Sequence, residues 1–201
     1  MIQLETERLI LRPLGLQDFD DFYSYGSVPE NMTYMIFGPY TPETARAFLQ
    51  KVEDWWKEDP QRVYEFAAVL KETGRTIGNV GIYLDRDVPA TGMLGWCFHR
   101  DFWNRGYCTE AVRALMKFGF EDLNLHRIHA ECNADNTASA RVMEKLGMRR
   151  EGHFIKNRYA RVGDTKMWYD EFFYGILREE FLGQARCDTP KTGDALKRDL
   201  N

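Results

Sequence analysis

Apolar side chains along this chain keep two rhythms, and the switches between them lay out the elements. Residues 8–12 (Arg8-Leu9-Ile10-Leu11-Arg12) form a short apolar run that predicts a first strand. Phe19, Phe22 and Tyr23 then fall at helical spacing within residues 18–25. Thr41-Pro42-Glu43 is a helix start: a capping hydroxyl, a proline at the first helical position, then an acid. Behind it Ala45, Phe48, Leu49, Val52, Trp55 and Trp56 line one helical face, with Pro60 just past the end. Residues 63–70 and 75–84 are strand-like and joined by Lys71-Glu72-Thr73-Gly74, a hairpin signal. A strand over 93–98, a helix over 109–123, a strand over 127–132 and a helix over 137–146 closed by Gly147 follow. Two strands over 148–157 and 166–174 and a short helix over 175–182 complete the pattern. Hairpins first, then strands alternating with helices, predict an α/β (α+β) domain over residues 1–183, a mixed sheet with helices on both faces. Residues 184–201 carry few apolar side chains and predict a flexible tail.

Composition narrows this only a little. Apolar residues at 44% and charged residues at 29% describe an ordinary globular chain, while 14% aromatics suggest a deep pocket or a large core. The net charge of −4, with no basic stripe, gives no reason to expect nucleic acid and weakly favours a cationic substrate such as an amine. No apolar run approaches the about 18 residues a membrane span needs, and the start has no basic region followed by an apolar stretch, so neither a span nor a signal peptide is expected. Cys97, Cys108, Cys132 and Cys187 form no paired motif and read as reduced thiols of a cytoplasmic protein rather than zinc ligands. His126 and His129 stand three apart on a predicted strand, on opposite faces, so no metal is expected there.

Two segments carry the chemistry. The first is Trp103-Asn104-Arg105-Gly106-Tyr107-Cys108-Thr109-Glu110-Ala111, a loop running into a helix start. Gly106 lets the backbone approach an anion closely, and the N–H groups from Arg105 to Thr109 at a helix N-terminus suit a phosphate. The second is Asn136-Thr137-Ala138-Ser139, an amide and a hydroxyl at the next helix start. Together they suggest a ligand with a pyrophosphate at one end and a reactive group at the other.

The ordered series formed by strand 93–98, the Trp103–Ala111 loop and helix, strand 127–132, Asn136-x-x-Ser139 and Lys145-Leu146-Gly147-Met148 resembles the GNAT superfamily of N-acetyltransferases. The opening Glu5-Thr6-Glu7-Arg8-Leu9-Ile10-Leu11-Arg12-Pro13-Leu14 and the closing stretch from Trp168 to Phe181 are similar to its branch of ribosomal-protein alanine acetyltransferases. The resemblance spans roughly residues 4–182. It implies the GNAT fold, a twisted, mostly antiparallel sheet of about seven strands, whose strands 93–98 and 127–132 part in a V that holds acetyl-CoA. Backbone groups at Cys97 and Phe98 would then pair with the pantetheine arm. Asn104, Arg105, Gly106, Tyr107, Cys108 and Thr109 would take the pyrophosphate. Asn136 would contact pantetheine and Ser139 would lie near the thioester sulfur. Trp103 stands where the family often has Gln or Arg, and Cys108 where it usually has Gly or Ala. Arg141 and Lys145 either reach the adenosine phosphates or form a solvated helix face.

The implied reaction is direct transfer of acetyl to a neutral amine. An N–H near Phe98 would hold the oxyanion and Ser139 the leaving sulfur. Many relatives use a glutamate on the strand before the phosphate loop, where this chain has no acid; the base is left among Glu131, Glu151 and a chain of waters. The unusually apolar segment 34–40 is expected to line the acceptor pocket. The acceptor implied is a protein N-terminus; a small amine (antibiotic, amino acid or polyamine) is the alternative, and a non-catalytic acyl-CoA sensor the reading from another class. Relatives are often monomers or dimers, so the resemblance implies a monomer or a homodimer.

Overall fold

The computed structural model describes residues 2–162 and 165–187. The chain opens with β1 (Leu4–Glu5) and β2 (Leu9–Pro13), then α1 (Phe19–Gly26) and α2 (Pro42–Trp55). The hairpin of β3 (Val63–Leu70) and β4 (Thr76–Leu84) leads into β5 (Thr91–Phe98). After it come α3 (Tyr107–Glu121), β6 (Arg127–Asn133), α4 (Thr137–Lys145), β7 (Arg149–Val162), β8 (Thr165–Leu177) and α5 (Arg178–Cys187). Among the described residues the strands form one eight-stranded sheet in the order β1-β2-β3-β4-β5-β6-β8-β7. Its neighbours are antiparallel throughout except β5 and β6. The strand beyond the expected seven is β1, whose two residues pair Leu4 with Leu11 and Glu5 with Ile10, too short a run to leave a periodic signal.

Each helix forms where the sequence supplies both a start and an apolar face. In α2 the Thr41 hydroxyl accepts from the Thr44 N–H at 3.3 Å, Pro42 stands at the first position, and Ala45, Leu49 and Val52 are wholly buried. These three pack with Phe22 and Tyr25 of α1 onto Ala67 and Val69 of β3. Burying a leucine such as Leu49 is worth roughly 1.5–3 kcal/mol. The opposite face of the sheet carries Val112, Leu115 and Met116 of α3 against Phe66, Ile82 and Ile128. The helices therefore cover both faces, and α3 and α1 approach the same end of β5 from opposite sides.

Several boundaries differ from the sequence reading, among them β7, which runs to Val162 where a strand ending at 157 was expected, and β5, which begins at Thr91 rather than 93. Helix α3 starts at Tyr107 rather than Thr109, because Gly106 at φ +81° is already its cap. Strand β8 continues to Leu177 where a helix was expected from residue 175: Ile176 is wholly buried opposite Ile128, and only then does Glu180 accept the Leu177 N–H at 2.7 Å and start α5. Helix α5 takes in residues 184–187 of the expected tail, and residues 188–201 lie outside the described residues.

The feature that positions a site is the single parallel pair. β5 and β6 are in register only at Thr91–Arg127, Gly92–Ile128 and Met93–His129, although β5 runs on to Phe98 and β6 to Asn133. Beyond Met93 the two strands part. The His99 N–H bonds back to the Ile77 carbonyl at 2.9 Å, which fixes the parity of the β4–β5 ladder. Cys97 is thus paired toward β4, and the backbone groups of Trp96 and Phe98 turn toward the opening.

Candidate active site

A cavity of about 620 Å³ fills the opening. Its walls are the end of β5, the loop into α3, the first turns of α4 and residues 30–35 between α1 and α2. Of the residues singled out from the sequence, Cys97, Phe98, Asn104, Gly106, Tyr107, Cys108, Thr109, Asn136 and Ser139 line it, and so do Arg141 and Lys145. Two do not. Arg105 turns its guanidinium over the Phe102 ring at 5.8 Å, while its carbonyl accepts from the Arg8 side chain at 3.0 Å. Glu131 lies off the cavity wall and is bound by Arg158 at 2.5 Å.

The loop turns through two left-handed residues and leaves open space in front of its glycine. Asn104 and Gly106 both hold positive φ, at +58° and +81°, a conformation that asparagine tolerates and glycine adopts freely. A Cβ built on Gly106 would meet only Arg8 Nη2, at 3.4 Å, so the space in front of it is open. No side chain caps the first N–H groups of α3, which carry the positive end of the helix dipole. At α4 the Asn136 side chain accepts from the Ser139 N–H at 3.1 Å. The cap engages one oxygen of Asn136 and the backbone of Ser139, and leaves the Asn136 amide N–H groups and the Ser139 hydroxyl for the cavity.

The open edge of β5 is only partly free. The Phe98 carbonyl already accepts from Trp103 Nε1 at 2.7 Å and from Asn31 Nδ2 at 3.2 Å. Asn31, buried, also accepts the Arg100 N–H at 2.8 Å and so ties the loop after α1 to the end of β5. Neither contact is legible in the sequence: Trp103 stands there only as a departure from the family pattern, and Asn31 carries no local signal that would single it out. Of the Cys97–Phe98 pair expected to face the pantetheine arm, Cys97 offers its side chain to the cavity while its backbone is spent on β4.

Burial pushes the Cys97 thiol up to about 12 and raises the Cys108 thiol further. Both stay protonated and neither is a nucleophile near neutral pH. That disfavours an acyl-cysteine intermediate at either position. The three cysteines whose side chains are described are free. On the acceptor side, Tyr34 and Met35 line the cavity, but the rest of segment 34–40 does not: Ile36 and Phe37 point outward, and Tyr40 packs on Phe22 and Phe48 in the core. Among the described residues no group of three His, Cys, Asp or Glu is placed to hold a metal ion, and no helix is long and apolar enough to cross a membrane.

This is the geometry of an acetyl-transfer enzyme. The acetyltransferase (GNAT) domain model matches residues 8–149, and the chain belongs to that family. It is similar to the uncharacterized N-acetyltransferase YnaD of Bacillus subtilis, 34% identical over 180 residues that cover 90% of this chain and 99% of that one. Its fold matches a GNAT-family acetyltransferase from Bacillus anthracis with a TM-score of 0.75 and 35% identity, over 89% of this chain and 99% of the other. It also matches the ribosomal-protein-S5-alanine acetyltransferase of Vibrio fischeri with a TM-score of 0.76, over 90% and 99% of the two chains, but at 22% identity only the fold is shared.

Proposed function

We propose that this enzyme transfers acetyl from acetyl-CoA directly to a primary amine, the α-amine of a protein N-terminus. The observation that carries the reading is that the parting of β5 and β6, the uncapped start of α3 and the Asn136–Ser139 turn all open into one cavity. Acetyl-CoA supplies the activated acyl group as a thioester. The N–H groups from Gly106 to Thr109 take the pyrophosphate, with Asn104 beside them and Arg105 contributing through its backbone. The Asn136 amide and the outward backbone of Trp96 hold the pantetheine arm like an added strand. The Phe98 N–H receives the carbonyl oxygen as charge develops on it. The Ser139 hydroxyl faces the leaving sulfur and bonds to it as the thiolate departs.

Glu131, bridged by Arg158 to the buried Glu171, is engaged in an ion pair off the cavity wall and is not a free base. Its carboxyl is raised by burial and by Glu171, against which Arg158 works. A small amine is the second reading, favoured by Glu30 in the cavity wall and the net charge of −4. The free thiols fit a cytoplasmic setting. Calorimetric titration with acetyl-CoA alone, competed by CoA, tests the donor site; absence of binding at millimolar acetyl-CoA removes the transferase reading. A panel of alanyl and seryl peptides set against antibiotics, amino acids and polyamines separates the two acceptors, and binding without transfer to any of them leaves a sensor.

A further inference from the structure

On the face of the sheet covered by α1 and α2, Glu65 of β3, Gly81 of β4 and Gly95 of β5 stand side by side in register. The two glycines leave a trough. A Cβ on Gly81 would lie 2.2 Å from Glu65 Oε2 and 2.9 Å from Tyr83 Oη, and one on Gly95 would lie 3.3 Å from the Tyr83 ring. The Glu65 carboxylate and the Tyr83 phenol occupy that trough. Tyr83 donates to Glu65 Oε2 at 2.5 Å, Asn79 donates to Oε1 at 2.7 Å, and Tyr25 donates to Asn79 at 2.9 Å.

The position of the trough gives it a use. Gly95 is the first residue on this face beyond Met93, the last residue of β5 paired with β6, and its neighbours Trp96 and Cys97 line the cavity. Tyr83 lies against Gly95 and keeps part of its surface exposed, whereas Glu65 is 1% exposed. The phenol is thus the partly exposed end of the pair and the carboxylate its buried end. A buried carboxylate costs stability that an apolar residue would not, so the packing of the strands alone does not call for one.

We propose that the Tyr83 hydroxyl takes the proton of the attacking amine, with Glu65 behind it receiving Tyr83's own proton. The proposal rests on the acetyl-transfer reading and supplies the base that the strand before the phosphate loop lacks. As the N–C bond forms, the amine's N–H bond breaks and its proton goes to Tyr83 Oη; the Oη proton moves to Glu65 Oε2. The electron pair of the C–S bond leaves with sulfur, which is protonated from solvent, and Glu65 returns its proton to water after product departs. Tyr83 is the catalytic residue and Glu65 a positioning residue that acts through it.

The groups facing Glu65 are Tyr83 and Asn79 of β4, Cys97 of β5, Tyr25 of α1 and Tyr40 ahead of α2; none is a cation. Burial accordingly pushes the Glu65 carboxyl up to about 7, against the pull of the Tyr83 and Asn79 hydrogen bonds. Glu131, across the opening, has Arg158 on it instead.

The test compares the whole chain with Glu65→Gln and Tyr83→Phe, both of nearly unchanged shape, using acetyl-CoA with an alanyl peptide and with spermidine. Expected are kcat reduced about 100-fold in each variant, loss of the limb of the pH profile near about 7, and a rate that rises with pH toward the acceptor's own pKa. Acetyl-CoA affinity is expected to stay within about twofold. If Glu65→Gln misfolds, by loss of its melting transition, Tyr83→Phe decides alone. A wild-type enzyme that acetylates either amine while Tyr83→Phe or folded Glu65→Gln keeps both rate and pH limb overturns this proposal only. A wild-type protein that binds no acetyl-CoA, or transfers to neither amine, overturns it together with the reading beneath it.

Discussion

Arg8 and Glu110, 102 positions apart in the chain, are joined at three points: the Arg8 N–H donates to Oε1 at 2.8 Å, and Nε and Nη2 reach Oε2 at 2.7 and 2.6 Å. Glu110 sits in the first turn of α3, and the same Arg8 side chain holds the Arg105 carbonyl and lies 4.3 Å from the centre of the Tyr107 ring. The turn between β1 and β2 thus clamps the loop proposed to take pyrophosphate. Burial raises the Glu110 carboxyl, but the hydrogen bonds from Thr6 and Arg8 outweigh it and keep the group below its usual range. The prediction is that Glu110→Gln weakens acetyl-CoA binding about tenfold in a calorimetric titration, by loosening the charge-assisted contacts that hold the loop. Removal of a negative charge beside a pyrophosphate would, by Coulomb attraction alone, tighten it. Tighter binding would show that the clamp does not shape the loop.

Gly106 makes a separate prediction. At φ +81° any residue with a Cβ costs about 1–2 kcal/mol, yet the built Cβ meets only the end of a flexible arginine. Gly106→Ala should therefore fold and melt only a few degrees lower. Gly106→Val, whose branches cover the N–H groups of the first turn of α3, should bind acetyl-CoA at least about 100-fold more weakly while remaining folded by circular dichroism. A valine variant with wild-type affinity would place the pyrophosphate elsewhere.

Ser139 is tested by splitting turnover from affinity. Its N–H, not its hydroxyl, satisfies the Asn136 cap, so Ser139→Ala removes nothing that holds α4. Turnover should fall about tenfold and the acetyl-CoA Kd should move by less than about twofold, the pattern of a contact made in the transition state. Steady-state rates alongside calorimetry measure both. Unchanged kcat would remove the hydroxyl from the mechanism.

What the sequence disclosed and what it hid divide along the distance between the interacting residues. Thr41-Pro42 and Gly147 are local signals, and each stands where its helix begins or ends, with Gly147 at φ +77°. The walls of the cavity were legible because the loop at Gly106 and the turn at Asn136 are themselves local motifs at helix starts. Glu65 was invisible as a functional candidate because it sits inside the apolar strand Val63–Leu70, and only pairing with β4 reveals that Gly81 makes room for it. Arg158 is a similar case: its hold on Glu131 depends on β8 inserting between β6 and β7, a strand order that no local pattern encodes. The same holds for Arg8, whose partner lies in another element altogether.

Glu65 also sets a dependence of stability on pH. An unfolded glutamate titrates near 4.5, and burial raises Glu65 to about 7 in the fold, so the folded state holds that proton more tightly. Its contribution is complete below about pH 4.5 and is lost as pH climbs through about 7, because the chain must then bury a charge. The loss amounts to about 3 kcal/mol at most. Other groups titrate in the same window: His99 and His129, which burial holds below the usual range, act in the opposite sense, and Glu131 acts in the same one. The readout is therefore the difference between two proteins. Denaturant unfolding from about pH 5 to about pH 8 should show the wild type losing about 2–3 kcal/mol relative to Glu65→Gln. The variant keeps a neutral amide in the trough throughout, still accepting from Tyr83. Parallel pH curves for the two proteins would mean that the carboxylate is already ionised, and solvated, within the fold. A base of ordinary acidity there would have little power to draw a proton from Tyr83 near neutral pH, so the equilibrium measurement bears on the kinetic proposal without using a substrate.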